Sequence, residues 1–397
     1  MMKFQRVFMI VTDSLGIGGD ELNQKRFGDL GANTLLHTSE HGTLEIPTWK
    51  RLGISCIAQI ANPGKPGAPQ AYVARVLELS NGKDTLTGHW EMMGIHTQQP
   101  FPVFTEGGFP PELISALEAE FDGRKVVCNR SISGTEAIAA YANQEIMDHK
   151  IIVYTSQDST LQICGDEATM GLDKLYRYAA AARAICSSRP EWNVGRVIAR
   201  PYRKNHLGQW ERTFNRHDYA VTPPQELILE RLAAQGVEVI SVGKINDIFS
   251  GRGIKKHYPS EGDGHGMDIT IDLATRPTTN QFIFTNLVQF DSHYGHRRDV
   301  EGYANNINLF DTKLAKLLNA LRDDDLLIIT SDHGNDPTFP GFNHTRENLP
   351  ATIYSKAFKA PKRLADLHGL GTLGNIVAKN FNVALGPTGE DIWDQLI

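Results

Sequence analysis

Apolar runs that end in an acidic residue recur along this chain and predict buried strands. Residues 6–13 read RVFMIVTD, residues 281–291 read QFIFTNLVQFD, and residues 325–336 open with DLLIIT and continue SDHGND. Another apolar run, VEVISVGK, occupies residues 237–244. Continuous apolar runs are typical of strands covered on both faces, so the pattern predicts a mainly parallel sheet.

Helical patterns lie between these runs. Residues 222–236 (TPPQELILERLAAQG) and 305–324 (NNINLFDTKLAKLLNALRDD) predict two helices, and the first of them is followed directly by the apolar run at 237–244. Strands that alternate with helices indicate an α/β fold with helices on the faces of the sheet.

The middle of the chain has a different pattern and predicts a second domain. A Pro/Gly-rich entry at residues 100–111 and the TPP at 222–224 resemble domain boundaries. Between them, strand-like and helix-like segments such as KIIVYTSQDSTLQI and LDKLYRYAAAARAICSS predict a compact α+β unit. We therefore expect a discontinuous core, residues 1–100 and 222–397, with an inserted cap domain at 101–221.

Composition narrows the class of protein. The length of 397 residues suggests two domains or one large core with an insertion, and 41% hydrophobic with 22% charged residues is typical of a globular protein. The net charge of -6 gives no reason to expect nucleic-acid binding, and no apolar stretch approaches the ~20 residues of a membrane span. Four cysteines without a CxxC pattern favour free thiols in a reducing cytoplasm.

Three of the predicted strands carry an aspartate at or just after their end: Asp13, Asp291 and Asp332. In open parallel sheets, ligands gather beyond the carboxyl ends of the strands, so these side chains can converge. Three carboxylates together would repel one another without a cation. The alternative for each aspartate alone is a helix cap or a loop residue.

Histidines accompany these acids. His296 follows Asp291, His333 is adjacent to Asp332, and His344 lies eleven residues after His333; His293 is the weakest candidate. Mixed Asp and His ligands suit Zn²⁺ or Mn²⁺ better than Ca²⁺. With three acids and three histidines, two metals are more plausible than one, and such a pair is a common device for phosphoryl transfer.

The segment GKDTLTGHWEMMG, residues 82–94, offers two hydroxyl groups, Thr85 and Thr87. A bound divalent cation lowers the pKa of an oxygen that it contacts, which removes the need for a neighbouring base. A helix that begins here would also present its N-terminus to a phosphate. Helix capping is the competing interpretation, and the residues alone do not separate Thr85 from Thr87 as a nucleophile.

Seven motifs together resemble one family. In order along the chain, VTDSLGIGG, GKDTLTGHWEMMG, VGRVIARPY, NRHDYAVTPP, GKINDIF, DSHYGHRRDVEGYA and SDHGNDPTFPGFNHTRE are similar to prokaryotic-type phosphopentomutases. That family belongs to the alkaline phosphatase superfamily, with the cofactor-independent phosphoglycerate mutases. The resemblance implies an alkaline-phosphatase-like core with an inserted cap.

The resemblance also implies roles for individual residues. It makes Thr85 the phosphorylated hydroxyl, and the metal is usually Mn²⁺. One metal would be held by Asp13, Asp332, His333 and the Thr85 oxygen, and the other by Asp291, His296 and His344. The implied substrate-binding residues are Ser156, Asp158, Thr160, Arg196, Ile198, Lys244 and one of the two arginines Arg212 and Arg216.

The implied reaction interconverts ribose 1-phosphate and ribose 5-phosphate, and the 2-deoxyribose pair, through a sugar 1,5-bisphosphate. An activating bisphosphate, ribose 1,5-bisphosphate or glucose 1,6-bisphosphate, would first phosphorylate the threonine. The expected setting is nucleoside catabolism and pentose phosphate salvage in the cytoplasm, with a small phosphosugar as partner. The sequence leaves the oligomeric state open, a monomer included.

Rival functions and departures remain. A phosphomonoesterase or sulfatase, a phosphoglycerate mutase, and a non-catalytic metal-binding scaffold all fit parts of the pattern. Asn343 stands where the family commonly has an acid. The Gly-rich stretch at 260–268 (SEGDGHGMD) is expected to be a loop and has no assigned role.

Overall fold

The computed structural model describes residues 3–19, 21–64, 67–156 and 158–397, and the chain divides into two compact units. The first unit joins Met1–Pro100 to Pro223–Ile397, and the second is the continuous stretch Phe101–Thr222. The second unit thus ends one residue later than the predicted insertion. No helix in the described part of the chain is long and apolar enough to cross a membrane.

The strands follow the apolar runs of the sequence. The run at residues 6–13 forms a strand in which every side chain is buried. The described residues contain β1 (Arg6–Thr12), β2 (Tyr72–Leu77), β3 (Val126–Val127), β4 (Ile151–Tyr154), β5 (Thr160–Asp166), β6 (Arg196–Lys204), β7 (Trp210–Arg212), β8 (His217–Ala220), β9 (Glu238–Val242), β10 (Lys256–Tyr258), β11 (Gln281–Leu287), β12 (Asp325–Thr330), β13 (Leu349–Tyr354) and β14 (Leu367–His368).

Helices cover the sheets, and short 3₁₀ turns and one π-helical turn at Phe290–Gly295 join them. The α-helices of the described residues are α1 (Glu21–Phe27), α2 (Thr34–His41), α3 (Pro47–Leu52), α4 (Thr85–Met92), α5 (Pro111–Glu120), α6 (Gly134–Met147), α7 (Leu172–Ser187), α8 (Ile228–Ala234), α9 (Ile245–Ile248), α10 (Asp263–Thr275), α11 (Val300–Ala320), α12 (Gly371–Asn380) and α13 (Trp393–Leu396).

The larger sheet lies in the first unit and has the strand order β10-β9-β11-β1-β12-β13-β2-β14 over the described residues. From β10 to β12 all neighbours are parallel. Strand β13 is antiparallel to both β12 and β2, and β14 is parallel to β2. This topology confirms the predicted α/β fold with a mainly parallel sheet. It also brings the carboxyl ends of β9, β11, β1 and β12 to the same edge.

The strand predicted at residues 281–291 is too long, because β11 stops at Leu287. Just beyond it, Gln289 exchanges two hydrogen bonds with Asp263. The Gln289 amide N–H donates to Asp263 Oδ1 over 2.9 Å, and the Asp263 N–H donates to Gln289 Oε1 over 2.7 Å. These bonds take the backbone out of the sheet and lead it into the π-helical turn that carries Asp291.

Two helix predictions and one loop prediction need correction. The helix predicted from residue 222 begins only at Ile228, because residues before a proline disfavour helical backbone and Pro223 and Pro224 lie at its start. Helix α11 begins at Val300, five residues earlier than predicted, where the Asp299 side chain caps it by accepting the Gly302 N–H. The Gly-rich stretch 260–268 is not a loop throughout, since α10 begins at Asp263.

The second unit has its own mixed sheet. Its order over the described residues is β3-β4-β5-β6-β7, with β8 beside β6. Leu113 and Leu117 of α5 and Tyr178 of α7 are fully buried in a hydrophobic core together with strand residues such as Val153 and Ile163. The unit therefore has the mixed helix and strand content that the sequence predicted for the insertion.

A buried ion pair fixes the start of the central strand. Arg6 at the beginning of β1 and Asp325 at the beginning of β12 are completely buried, and Arg6 Nη2 lies 2.6 Å from Asp325 Oδ2. The same guanidinium donates to the backbone carbonyls of Leu273, Ala274 and Arg276. The two buried charges of Arg6 and Asp325 are thus paired with each other, which offsets the cost of removing them from water. Arg6 lies at the opposite end of β1 from Asp13.

Candidate metal centre

The candidate metal-binding acids meet at the carboxyl edge of the larger sheet. Asp13 directly follows β1, Asp332 lies two residues after β12, and Asp291 lies four residues after β11. Asp13 and Asp332 are fully buried, and Asp291 is 6% exposed. Strand β1 lies between β11 and β12, so the loops that follow these two strands lie on either side of Asp13.

One group of ligand atoms comes from Asp13, Asp332 and His333. Their ligand atoms all lie within 4.8 Å of one another. His333 Nε2 is 3.4 Å from Asp13 Oδ1 and 3.5 Å from Asp332 Oδ2. The structure thus brings together three of the residues that the resemblance assigned to one metal.

A second group comes from Asp291, His296 and His344. His296 Nε2 and His344 Nε2 are 3.0 Å apart, and each lies 3.3 Å from an oxygen of Asp291. The ring of His344 stacks on that of His333 at 4.0 Å between centroids, so the two groups are adjacent. Ligand atoms of Asp291, His333 and His344 also lie within 4.8 Å of one another.

The three histidines are oriented in the same way. The Nδ1 atoms of His296, His333 and His344 lie 3.1, 3.1 and 2.8 Å from the backbone carbonyls of Phe342, Gly334 and Lys83. A carbonyl can only accept, so Nδ1 must carry a proton, which leaves Nε2 as the atom that can bind a metal. Each Nε2 faces the carboxylates, which is the arrangement by which proteins prepare histidine for a metal.

The pKa values of side chains in the centre are shifted because charged groups of opposite sign lie close together. Burial would raise the pKa of Asp291, but His296 and His344 beside it hold that pKa well below its ordinary value. Burial would likewise lower the pKa of His333, but Asp332 and Asp13 raise it well above its ordinary value. Opposite charges at these distances therefore outweigh desolvation for Asp291 and His333.

The donor set fits divalent cations. Asp13 Oδ1 and Asp332 Oδ2 are buried, and neither accepts a hydrogen bond of normal geometry from the described residues. A buried carboxylate oxygen without a donor is costly unless a cation compensates it. Carboxylate oxygens mixed with imidazole nitrogens suit a transition metal such as Mn²⁺ or Zn²⁺.

The structure separates the two threonines. Asp84 caps α4, and its carboxylate accepts the Thr87 N–H over 3.1 Å and the Thr87 hydroxyl over 2.6 Å. Thr87 is fully buried, and both its N–H and its hydroxyl are bound to the capping Asp84. Thr85 is the first residue of α4, and its Oγ1 lies 3.3 Å from His333 Nε2. Thr85 is therefore the hydroxyl at the metal centre.

A glycine allows α4 to approach the metal-binding loop. A Cβ at Gly88 would lie 2.2 Å from the backbone carbonyl oxygen of Asp332, which no side chain can tolerate. The missing side chain lets the first turns of α4 pack directly on the segment that carries Asp332 and His333. This packing brings Thr85 to the centre.

Several residues that support the ligands had no role in the sequence interpretation. His89 donates from Nδ1 to the Thr85 carbonyl over 2.9 Å, and Asn286 donates to Asp13 Oδ2 over 2.9 Å. Asn335 donates to Asp291 Oδ1 over 2.8 Å and is itself held by Arg298. Asn286 had a visible signal, since it interrupts the apolar run of β11; the others had none.

The candidate sugar-binding residues of the second unit lie close together on its sheet. Ser156 Oγ and Thr160 Oγ1 are hydrogen-bonded at 2.9 Å. Arg196 lies 3.6 Å from Asp158 and 3.8 Å from Asp218. Ile198 follows on the same strand as Arg196 but is only 2% exposed. Its side chain therefore belongs to the core of this unit, although its backbone borders the group.

The phosphate-binding candidates differ in their partners. Arg216 forms a two-pronged pair with Asp218, with Nε and Nη2 at 2.6 and 2.5 Å from its oxygens. Arg212 ends β7 and is exposed. Lys244 lies in the first unit, two residues after β9 and half-buried, on the sheet edge that carries Asp13.

Comparison with known proteins identifies the family. The model of the metalloenzyme superfamily matches residues 5–385. A phosphopentomutase of Mycoplasmopsis pulmonis is 58% identical over 99% of both chains, and one of Agathobacter rectalis is 48% identical over the full length of both. The chain belongs to the phosphopentomutase family. It is accordingly an isomerase of the phosphotransferase type that depends on metal.

The fold agrees with this assignment. A solved protein of Pyrococcus horikoshii superposes with a TM-score of 0.50 at 11% identity, over 96% of this chain and 98% of that one. At so low an identity the likeness concerns the fold alone. Together with the match to the metalloenzyme superfamily over residues 5–385, this likeness confirms the alkaline-phosphatase-like architecture predicted from the sequence.

Proposed function

We propose that this enzyme interconverts α-D-ribose 1-phosphate and D-ribose 5-phosphate, and the corresponding 2-deoxyribose phosphates, through a phosphorylated Thr85. The observation that carries the proposal is the position of the Thr85 hydroxyl, 3.3 Å from His333 Nε2 at the start of α4. The full-length similarity to proteins named phosphopentomutase supports it.

Two groups of side chains would hold the metal ions, which we propose to be Mn²⁺. Asp13, Asp332 and His333 would hold one ion together with the Thr85 oxygen, and the other would lie among Asp291, His296 and His344. When bound, such a pair neutralises charge on a transferring phosphoryl group and lowers the pKa of a hydroxyl that it contacts.

The chain's own residues then carry out the transfer. Phospho-Thr85 gives its phosphoryl group to the free sugar hydroxyl, which yields the 1,5-bisphosphate and the free threonine. The bisphosphate then reverses its orientation in the site and returns its other phosphoryl group to Thr85 Oγ1. Because Thr85 is the first residue of α4, the N-terminal, positive end of the helix dipole faces the phosphate in both steps. A sugar 1,5- or 1,6-bisphosphate would supply the first phosphoryl group.

Of the two arginines, we assign the distal phosphate to Arg212 in preference to Arg216, and Lys244 stays a separate candidate for binding a substrate phosphate. The guanidinium of Arg216 already makes two short charged bonds to Asp218, so a phosphate would have to displace a bound carboxylate. An exposed arginine offers its planar fork to a phosphate without that loss. Ser156, Asp158, Thr160 and Arg196 would bind the sugar, and the backbone of Ile198 would border it.

The setting of the reaction is part of the same proposal. All four cysteines are free, which suits a reducing cytoplasm. A small phosphosugar is the expected partner, and the net charge of -6 gives no basis for binding nucleic acid. Nucleoside catabolism and pentose phosphate salvage would supply and use the sugar phosphates.

Intact-mass spectrometry of the enzyme with Mn²⁺ and a sugar bisphosphate tests the nucleophile. We expect a species heavier by about 80 Da, the mass of one phosphoryl group. Thr85→Ala should lose this species and all turnover while it retains bound metal. Thr87→Ala is the matched control and should keep the added mass. Phosphorylation that persists in Thr85→Ala would refute the assignment.

A coupled assay separates the mutase from its nearest rival. Ribose 5-phosphate is incubated with enzyme, Mn²⁺ and activator, and both ribose 1-phosphate and inorganic phosphate are measured. We expect ribose 1-phosphate to form well ahead of phosphate release. Faster release of inorganic phosphate would instead identify a phosphomonoesterase.

A further inference from the structure

The segment that leads to Thr85 is held almost entirely by side chains. Residues 78–83 connect β2 to α4 and belong to no helix or strand. Glu78, Ser80 and Gly82 of this segment are buried, and because they lie outside any helix or strand, their backbone groups need other partners. Among those partners, only His344 has a role implied by the family.

Arg346 holds the carbonyl side of this segment. It is 6% exposed and donates to the backbone carbonyls of Ser80 and Gly82 over 2.9 and 2.7 Å, and also to the carbonyl of Glu78. Its charge is paired with the Glu78 carboxylate at 2.6 Å. One planar guanidinium thus fixes three carbonyls within five residues.

Buried carboxylates hold two N–H groups of the segment and its lysine side chain. Glu91 of α4 is fully buried and accepts the N–H groups of Leu79 and Ser80 over 3.0 and 2.6 Å. Asp29 accepts the Arg346 N–H over 2.7 Å and pairs with Lys83 Nζ at 2.7 Å. Glu91 of the following helix thus holds two N–H groups of the segment, and Arg346 holds three of its carbonyls. The Asn81 N–H donates to the backbone carbonyl of Thr97.

The same short stretch of chain carries a metal-ligand candidate. His344 lies two residues before Arg346, and its Nδ1 donates to the Lys83 carbonyl over 2.8 Å. Residues 344–346 therefore contact the backbone before Thr85 at Lys83 and, through the arginine, at Gly82, Ser80 and Glu78. The hydroxyl at the start of α4 and the imidazole of His344 are linked through these few bonds.

We propose that Arg346 is a positioning residue for phosphoryl transfer, which holds the Thr85 hydroxyl in register with the metal ligands. The inference rests on the proposed function. Transfer between a nucleophile and a phosphoryl group depends on near-attack geometry, and a displacement of about 1 Å can cost about 100-fold in rate. Lysine keeps the charge but has a compact ammonium in place of the fork, so it cannot hold three carbonyls and a carboxylate at once.

The test compares Arg346→Lys with Arg6→Lys. Arg6 is a matched control, because it is also buried, pairs with one carboxylate and donates to three backbone carbonyls, but lies at the other end of β1. Single-turnover phosphorylation of Thr85 by a sugar bisphosphate is measured by mass, with kcat and KM for ribose 5-phosphate and metal content per chain. For Arg346→Lys we expect the phosphorylation rate and kcat to fall about 100-fold, with KM within about threefold of wild type.

For Arg6→Lys we expect rates per folded molecule within about twofold of wild type, although it loses bonds of the same kind. Metal content should stay the same in both variants. Hydrogen exchange of the metal-free proteins gives a second readout, independent of activity: amides of residues 79–84 should exchange at least tenfold faster in Arg346→Lys only. Equal kcat and equal exchange in the two variants would overturn the inference.

A milder variant covers the case in which Arg346→Lys does not fold. Asp29→Asn keeps the size of the side chain but removes the charge that pairs with Lys83, and should lower the phosphorylation rate about three- to tenfold. Unchanged rates in this variant would also count against a positioning role. The proposed function fails separately, if the wild-type enzyme itself forms no phosphothreonine and no ribose 1-phosphate.

Discussion

Asp263 should make the stability of the protein depend on pH in a way that one substitution removes. Its carboxylate is almost completely buried at the start of α10, where it accepts the Gln289 N–H and the side-chain amide of Asn306. Burial raises the pKa of Asp263 from 3.8 to about 6, against the opposing effect of these two hydrogen bonds. The folded protein therefore favours the protonated carboxyl.

The magnitude follows from the size of that rise. A pKa of about 6 in place of 3.8 corresponds to about 3 kcal/mol of difference between the two protonation states. Because the folded-state pKa lies above the unfolded one, the stabilising contribution is fully present below pH 3.8 and is lost as the pH rises through about 6. Asp263→Asn has no proton to lose at this position.

The assay is urea unfolding of wild type and Asp263→Asn, both without metal, between pH 4.5 and 7.5. We expect the free energy of unfolding of wild type, relative to the variant, to fall by about 2 kcal/mol over this range, because about 1 kcal/mol of the contribution is already lost at pH 4.5. Thr270→Val is the control, since it changes a buried polar residue of the same helix without removing a titratable group. Its effect of about 1 kcal/mol should be equal at every pH. A constant difference between wild type and Asp263→Asn would refute the reasoning.

Two further substitutions test how α4 is placed. Gly88→Ala puts a Cβ within 2.2 Å of the Asp332 carbonyl oxygen, so we expect a loss of about 1–3 kcal/mol in thermal unfolding and weaker metal binding by titration. Gly264→Ala, whose Cβ would have ordinary contacts, should instead be neutral or slightly stabilising, and an equal loss in both would exclude the proposed clash. Asp84→Ala removes the cap of α4 and should cost about 0.5–2 kcal/mol in urea unfolding. No change would mean that the bonds to Thr87 contribute nothing.

The fold and the ligand residues could be predicted from short patterns. The apolar runs of β1 and β12 are uninterrupted from Val7 to Val11 and from Leu326 to Ile329, as is typical of buried parallel strands. An aspartate after an apolar run marks the carboxyl end of a strand, and parallel strands bring those ends to one edge. Asp13 and Asp332 were therefore identifiable as neighbours although 318 residues separate them.

Element ends were less predictable, because tertiary contacts set them. β11 stops at Leu287 and α10 starts at Asp263 through the same reciprocal bonds between Asp263 and Gln289. The local sequence around either residue does not indicate its hydrogen-bond partner, because the two residues lie 26 positions apart. The glycines at 264 and 266 predicted a loop, whereas packing against the neighbouring structure supports a helix there.

By itself the sequence determined the fold class, the insertion, and the residue types that can hold metal. It left Thr85 and Thr87 equivalent as chemical groups, and it gave no role to Arg346. The tertiary structure separates the two threonines, because Asp84 accepts the hydroxyl of Thr87 whereas His333 faces that of Thr85. It also shows the contacts of Arg346 on which its proposed role rests. Contacts of this length join residues that are far apart in the chain, and local patterns carry no information about them.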